Sequence, residues 1–121
     1  MSNHDQTIRE FSAAWGRGDI EAILAVFTDD AVYHNMPMDP AEGKEAIRGF
    51  LESFLGVMAE SITFEIHHQL VQGDLVMNER TDTLVINGKT VALPVMGTFE
   101  MEGDKIKAWR DYFDAGLFTA D

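Results

Sequence analysis

The side chains able to do chemistry fall in three short segments. NERTDTL, at 78–84, carries Arg80 and Asp82; AWRDYFD, at 108–114, carries Asp111; VYHNMP, at 32–37, carries Tyr33 and Asn35. Successive side chains of a strand point to opposite faces, so residues two apart share one. Read as strands, these segments aim Arg80, Asp82 and Leu84 one way. Trp109, Asp111 and Phe113 share a face, opposite to that of Arg110, Tyr112 and Asp114. Tyr33 and Asn35 share another, as do Leu93, Val95, Gly97 and Phe99 in VALPVMGTF. If the faces bearing Leu84, Leu93 and Phe113 all line one pocket, two carboxylates, a guanidinium, a phenol and an amide converge in an apolar cavity.

Such a group is costly to bury unless its members satisfy one another. An arginine can hold a carboxylate through its planar fork and stays charged at any working pH. Arg80 between Asp82 and Asp111 could hold both. Two neighbouring carboxylates resist ionising together, so the pair would share one proton, leaving one neutral acid beside one anionic base. Concerted acid–base chemistry requires that arrangement. Taken singly, each residue also has a plainer reading. Arg80 and Asp82 fit a solvated ion pair on an exposed strand, and Asp111 fits a surface acid. Tyr33 fits the core, and Asn35 fits a turn.

Other chemistries lack their residues. There is no cysteine, hence no disulfide, thiolate nucleophile or zinc-thiolate site. His67 and His68 are adjacent on a strand and should face opposite ways; His4 lies near the N-terminus; His34 points away from Tyr33 and Asn35. No metal motif, G-x-S-x-G elbow or glycine-rich phosphate loop is present. The formal net charge is −12, from 21 acids against 9 Lys plus Arg, which argues against nucleic acid, anionic membranes and polyanionic substrates. A neutral small molecule fits best. No apolar run approaches the roughly 20 residues of a membrane span. MSNHDQTIREF has no signal-peptide zoning, which predicts a cytoplasmic protein. The seven methionines read as core filler, or as the wall of a pocket for a flexible apolar ligand.

The elements that must position these residues form one domain over 1–121. Ile8, Phe11, Ala14 and Trp15 recur at helical spacing, and Gly16 and Gly18 interrupt the run. Asp19 can cap a second helix carrying Ile20, Ile23, Leu24 and Phe27. A short strand is predicted over 31–35, a proline-containing loop over 36–43, and a third helix over 42–58. From Ser61 onward the chain alternates as strands, with turns at Gly73-Asp74, Asn87-Gly88 and Gly103-Asp104. Helices first and an antiparallel meander second make an α+β layout, with a pocket between a curled sheet and one long helix.

YHNMP at 33–37, ERTD at 79–82 and WRDYFD at 109–114, in this order and separation, resemble the limonene-1,2-epoxide hydrolase family. That family belongs to the wider group of ketosteroid isomerase-like and nuclear transport factor 2-like curved-sheet proteins. Weaker similarity runs from Thr7 to Phe118. The resemblance implies a cystatin-like α+β barrel: a strongly curved, mixed, mainly antiparallel six-stranded sheet with three to four helices around an apolar pocket. It implies cofactor-independent hydrolysis of an apolar epoxide to a vicinal diol, with no metal and commonly as a homodimer. Asp82 matches the acid that protonates the epoxide oxygen, and Asp111 the base that takes a proton from water. Arg80 matches the bridging guanidinium, and Tyr33 and Asn35 the groups that help hold the water. The implied apolar wall is Trp15, Phe54, Met58, Leu84, Leu93, Val95, Phe113 and Phe118. Two alternatives remain at this level: a ketosteroid isomerase-like or polyketide-cyclase-like enzyme on the same fold, and a non-catalytic module that binds an apolar ligand.

Overall fold

The computed structural model describes residues 3–119, with side chains through Leu117. Asn3 caps the first helix, α1 (His4–Arg17), by accepting from the Gln6 N–H, and Gly18 closes it in the left-handed region. The helix therefore runs through Gly16, which was expected to interrupt it. Asp19 caps α2 (Ile20–Ala25), as its position suggests. Phe27, read as the end of that helix, instead begins β1 (Phe27–Asn35).

The predicted loop contains a two-residue strand, β2 (Ala41–Glu42), paired antiparallel with β1. The third helix, α3 (Lys44–Phe54), is shorter than its apolar pattern. Leu55 is already extended and Gly56 turns the chain at φ 75°, so Met58 lies beyond the helix. The meander comprises β3 (Ser61–Gln72), β4 (Leu75–Ile86), β5 (Lys89–Glu102) and β6 (Lys105–Tyr112), followed by the short α4 (Gly116–Thr119). Asn87 and Gly88 both have positive φ, the requirement of the tight hairpin joining β4 to β5.

The six strands lie in the order β2-β1-β6-β5-β4-β3, all antiparallel except the β1–β6 pair. This is the expected mixed, mainly antiparallel sheet. The parallel contact matters for function, because it sets Tyr33 beside Trp109 and Asn35 beside Asp111. α1 packs across β3 and α3 against β1, so the inner face meets Ile8, Phe11 and Trp15 from one helix and Ile47 and Leu51 from the other.

Two expectations fail on the outer face. A bulge between Ile66 and His68 adds a residue to β3. His67 bonds Thr81 Oγ1 while His68 approaches Glu79, so the two histidines share the outer face instead of opposing each other. The methionines divide between their two readings and a third place: Met101 is core, Met38 and Met58 line the cavity described below, and Met77 and Met96 are exposed on the outer face. His4 is also not at a loose end: it is buried at the start of α1, with Nε2 3.1 Å from Asp74.

Candidate active site

Strand register decides which side chains meet. One cross-sheet row runs Asn78, Gly97, Asp111, Asn35; the next holds Ile66, Arg80 and Val95; the one after holds Phe64, Asp82 and Leu93. Glycine in the first row leaves a gap between Asn78 and Asp111, and the Arg80 guanidinium enters it. A Cβ at Gly97 would stand 2.6 Å from Asp111 Oδ1, 2.8 Å from Arg80 Nη1 and 3.2 Å from Asn78 Oδ1. Gly97→Ala is therefore expected to push the ion group apart. A stability loss of about 1–3 kcal/mol, typical of overpacking, should appear in urea melts together with reduced turnover.

All five N–H groups of Arg80 are used. Nε donates to Asp82 Oδ1 at 2.8 Å, and Nη2 to Asp82 Oδ2 at 2.8 Å and to Asp111 Oδ2 at 2.6 Å. Nη1 donates to Asp111 Oδ1 and to Asn78 Oδ1, both at 3.2 Å. The guanidinium carbon lies 4.5 Å from the centre of the Phe64 ring, so the cation also has an aromatic face. Asn78 passes the hydrogen-bond chain onward through its Nδ2–H to Gln69 Oε1, and Gln69 Nε2 donates to Asp5. Full use of the donors is what makes so polar a cluster tolerable where Arg80 is 1%, Asp82 5% and Asp111 3% exposed.

Burial pushes the carboxyls of both Asp82 and Asp111 above the ordinary range, against the pull of Arg80. Burial disfavours the Arg80 charge as well, but Asp111 and Asp82 outweigh it and hold the guanidinium protonated. Tyr33 lies well above the usual phenol value, through burial first and then the Asp111 charge, with a hydrogen bond to Asn35 pulling the other way. Its hydroxyl thus stays a neutral donor.

The two acids, Tyr33 and Asn35 open on one cavity of about 470 Å³. Of the expected wall, Trp15, Phe54, Met58, Leu84, Leu93 and Phe113 line it, joined by Phe50, Phe64 and Met38. Val95 does not line it: paired with Arg80, it is buried in the row between those of the two acids. Arg80 too is behind the lining and reaches the cavity only through its acids. The Phe118 side chain lies outside the described residues.

Three contributors were not singled out from sequence: Asn78, Gly97 and Trp109. Trp109 Nε1 donates to Asp111 Oδ1 at 2.7 Å. The signal existed for two of them, since Asn78 and Trp109 each sit two residues before a site residue on the same strand. For Gly97 the signal needs the register of β5 against both neighbours. Among the described residues, no three His, Asp or Glu side chains are grouped to hold a metal ion.

The SnoaL-like domain family model matches residues 8–109. Epoxide hydrolase EphG of Mycobacterium tuberculosis is 32% identical over 107 residues, covering 88% of this chain and 70% of that protein. The structure of an LEH-like epoxide hydrolase from M. tuberculosis aligns with a TM-score of 0.80 at 32% identity, over 94% of this chain and 85% of that one. TerC, co-crystallised with polyporic acid, aligns with a TM-score of 0.84 at 21% identity, over 96% and 95% of the two chains, and shows the shared fold. With the family model covering most of its length and about a third of its aligned residues shared with the two M. tuberculosis epoxide hydrolases, the chain belongs to the SnoaL-like domain family, near the LEH-like epoxide hydrolases.

Proposed function

We propose that this protein adds water to an apolar epoxide in one step, giving a vicinal diol without a cofactor. The observation that carries the reading is Arg80 clamped between two buried carboxylates that both face an apolar cavity. Asp111, with Tyr33 and Asn35, holds a water and takes its proton as the oxygen attacks a ring carbon from behind. Asp82 gives its proton to the departing oxygen as the C–O bond breaks. The attacked carbon inverts. Asp82 ends ionised and Asp111 protonated, and proton exchange with bulk water resets the pair. Positioning and paired proton transfers supply the acceleration.

A ketone-directed isomerase or cyclase needs one base and an oxyanion donor. The second acid, tied to the first through Arg80, favours hydrolysis over that use of the same scaffold. The partners are then a small apolar epoxide and water. No described helix is long and apolar enough to cross a membrane, and we take the protein to work in the cytoplasm. On the outer face of the sheet, Leu70 pairs with Met77 and Met96 with Tyr112, all exposed, which supports association into a homodimer.

A single turnover in water enriched in heavy oxygen, over a panel of cyclic and linear epoxides, tests the scheme. Label is expected in the diol from the first turnover. Label entering a protein carboxylate first would replace the one-step route with a covalent one. Absence of diol from every epoxide would end the hydrolase reading.

A further inference from the structure

Both acids bind the same cation, yet their surroundings are unequal. Among the described residues, Asp82 accepts two N–H bonds, both from Arg80. Asp111 accepts three, two from Arg80 and one from Trp109 Nε1 at 2.7 Å. An N–H aimed at a carboxylate oxygen binds the anion more strongly than the neutral acid and so favours the ionised form. Trp109 is fully buried and has no other hydrogen-bonding group, so its donation is fixed in direction.

The same indole also holds Tyr33. The two residues are register partners across the parallel β1–β6 contact, and their rings stack at 4.3 Å with an interplanar angle of 13°. Phe99, on the other side in the same row, stacks on Trp109 at 5.1 Å and 20°. Trp109 is thus wedged between flat neighbours and cannot turn its N–H away from Asp111 without breaking both stacks. Among the described residues, the ionisable groups facing Asp111 are Arg80 and Asp82 from β4 and Tyr33 from β1.

We propose that Trp109 is a positioning residue that keeps the single proton of the acid pair on Asp82 and fixes Asp111 against Tyr33. The choice of which acid is the donor and which the base then lies in one indole N–H outside the Arg80 clamp. This deepens the hydrolase reading, since it assigns the donor and base roles that reading uses.

Carboxyl-carbon and indole N–H resonances followed through a pH titration test it without any substrate. The chain has two tryptophans, and the second, Trp15, has a buried Nε1 with no hydrogen-bond partner among the described residues, which makes it an internal reference for an indole bonded to neither acid. As pH falls, the Asp82 carbon should record the first proton. The Trp109 indole proton should hold its downfield position until a second proton reaches Asp111, while the Trp15 indole, bonded to neither acid, should shift less at that step. In Trp109→Phe, which keeps a ring in the stack, the proton affinity of Asp111 should rise about tenfold, the worth of one hydrogen bond to a charged group. The acid limb of kcat/KM should move up by about one pH unit, with KM little changed.

Asp111 taking the first proton in the parent protein would overturn the proposal, as would an unchanged Asp111 midpoint in the folded variant. If Trp109→Phe does not fold, the parent titration still decides, with Trp15→Phe assigning the indole signals. The expected order of protonation with no diol from any epoxide would sink the hydrolase reading and uphold this one.

Discussion

Replacing Arg80 with Gln is expected to lower stability by about 3–5 kcal/mol at neutral pH, the usual penalty for stripping the partner from a buried charge, and the loss should shrink in acid. The Arg80 side chain has no solvent exposure and gives all five N–H groups to Asp82, Asp111 and Asn78. A glutamine amide offers two. Both carboxyls already lie above the ordinary value of 3.8 because burial disfavours their anions, and Arg80 is what holds them down. Above about pH 3.8 the folded state therefore binds more protons at these acids than the unfolded chain does, so their contribution to stability is full below that pH and declines as pH rises. Removing Arg80 raises both folded values further and steepens the decline. Asp5 and Glu21 are shifted the other way, by hydrogen bonds from Gln69 and from Arg48 respectively, but they are common to both proteins and cancel in the difference. Urea melts at pH 4, 5.5 and 7 would measure the gap. A gap that stays constant, or widens in acid, would mean that Arg80 does not compensate the two acids.

The clamp also marks where the sequence was legible. Period-two alternation placed Arg80 with Asp82 and Tyr33 with Asn35 on shared faces, because within one strand the pleat alone decides facing. The α+β order, the cap at Asp19, the break at Gly18 and the hairpin at Asn87-Gly88 were readable for similar reasons: each is settled by a few consecutive residues. What failed depended on partners. β2 exists only because β1 lies alongside it. The bulge that puts His68 on the outer face beside His67 comes from the pairing of β3 with β4, and alternation cannot see an inserted residue. The pattern of α3 runs on through Leu55 and Met58 because both are apolar, although the chain has already turned at Gly56. Val95 shares a face with Leu93, yet one step along β5 moves it from the cavity wall to the level of Arg80. Facing is local, whereas depth follows from register.

Asp82→Asn and Asp111→Asn should each reduce turnover by at least about a hundredfold, the low end for a lost acid or base, and substrate choice should tell them apart. In either variant the amide carbonyl can still accept from Arg80, but its NH2 then faces an arginine N–H where a carboxylate oxygen stood. Some stability is lost along with the chemistry, so activity must be compared in protein shown to be folded. Asp82→Asn removes the proton that the departing oxygen needs. An epoxide bearing an electron-withdrawing group next to that oxygen leaves as a better alkoxide and needs the proton less, so its deficit should be smaller than that of a plain alkyl epoxide. Asp111→Asn removes the group that accepts the proton of water, and a better leaving oxygen does not replace a missing base. Its deficit should stay large across the series. The measurement is kcat/KM for both variants over epoxides graded by the acidity of the alcohol they form. A graded deficit in Asp111→Asn with a flat one in Asp82→Asn would exchange the two roles. Equal deficits throughout would mean that the carboxylates serve only to hold Arg80, leaving Tyr33 and Asn35 as the groups on the cavity floor to examine for catalysis.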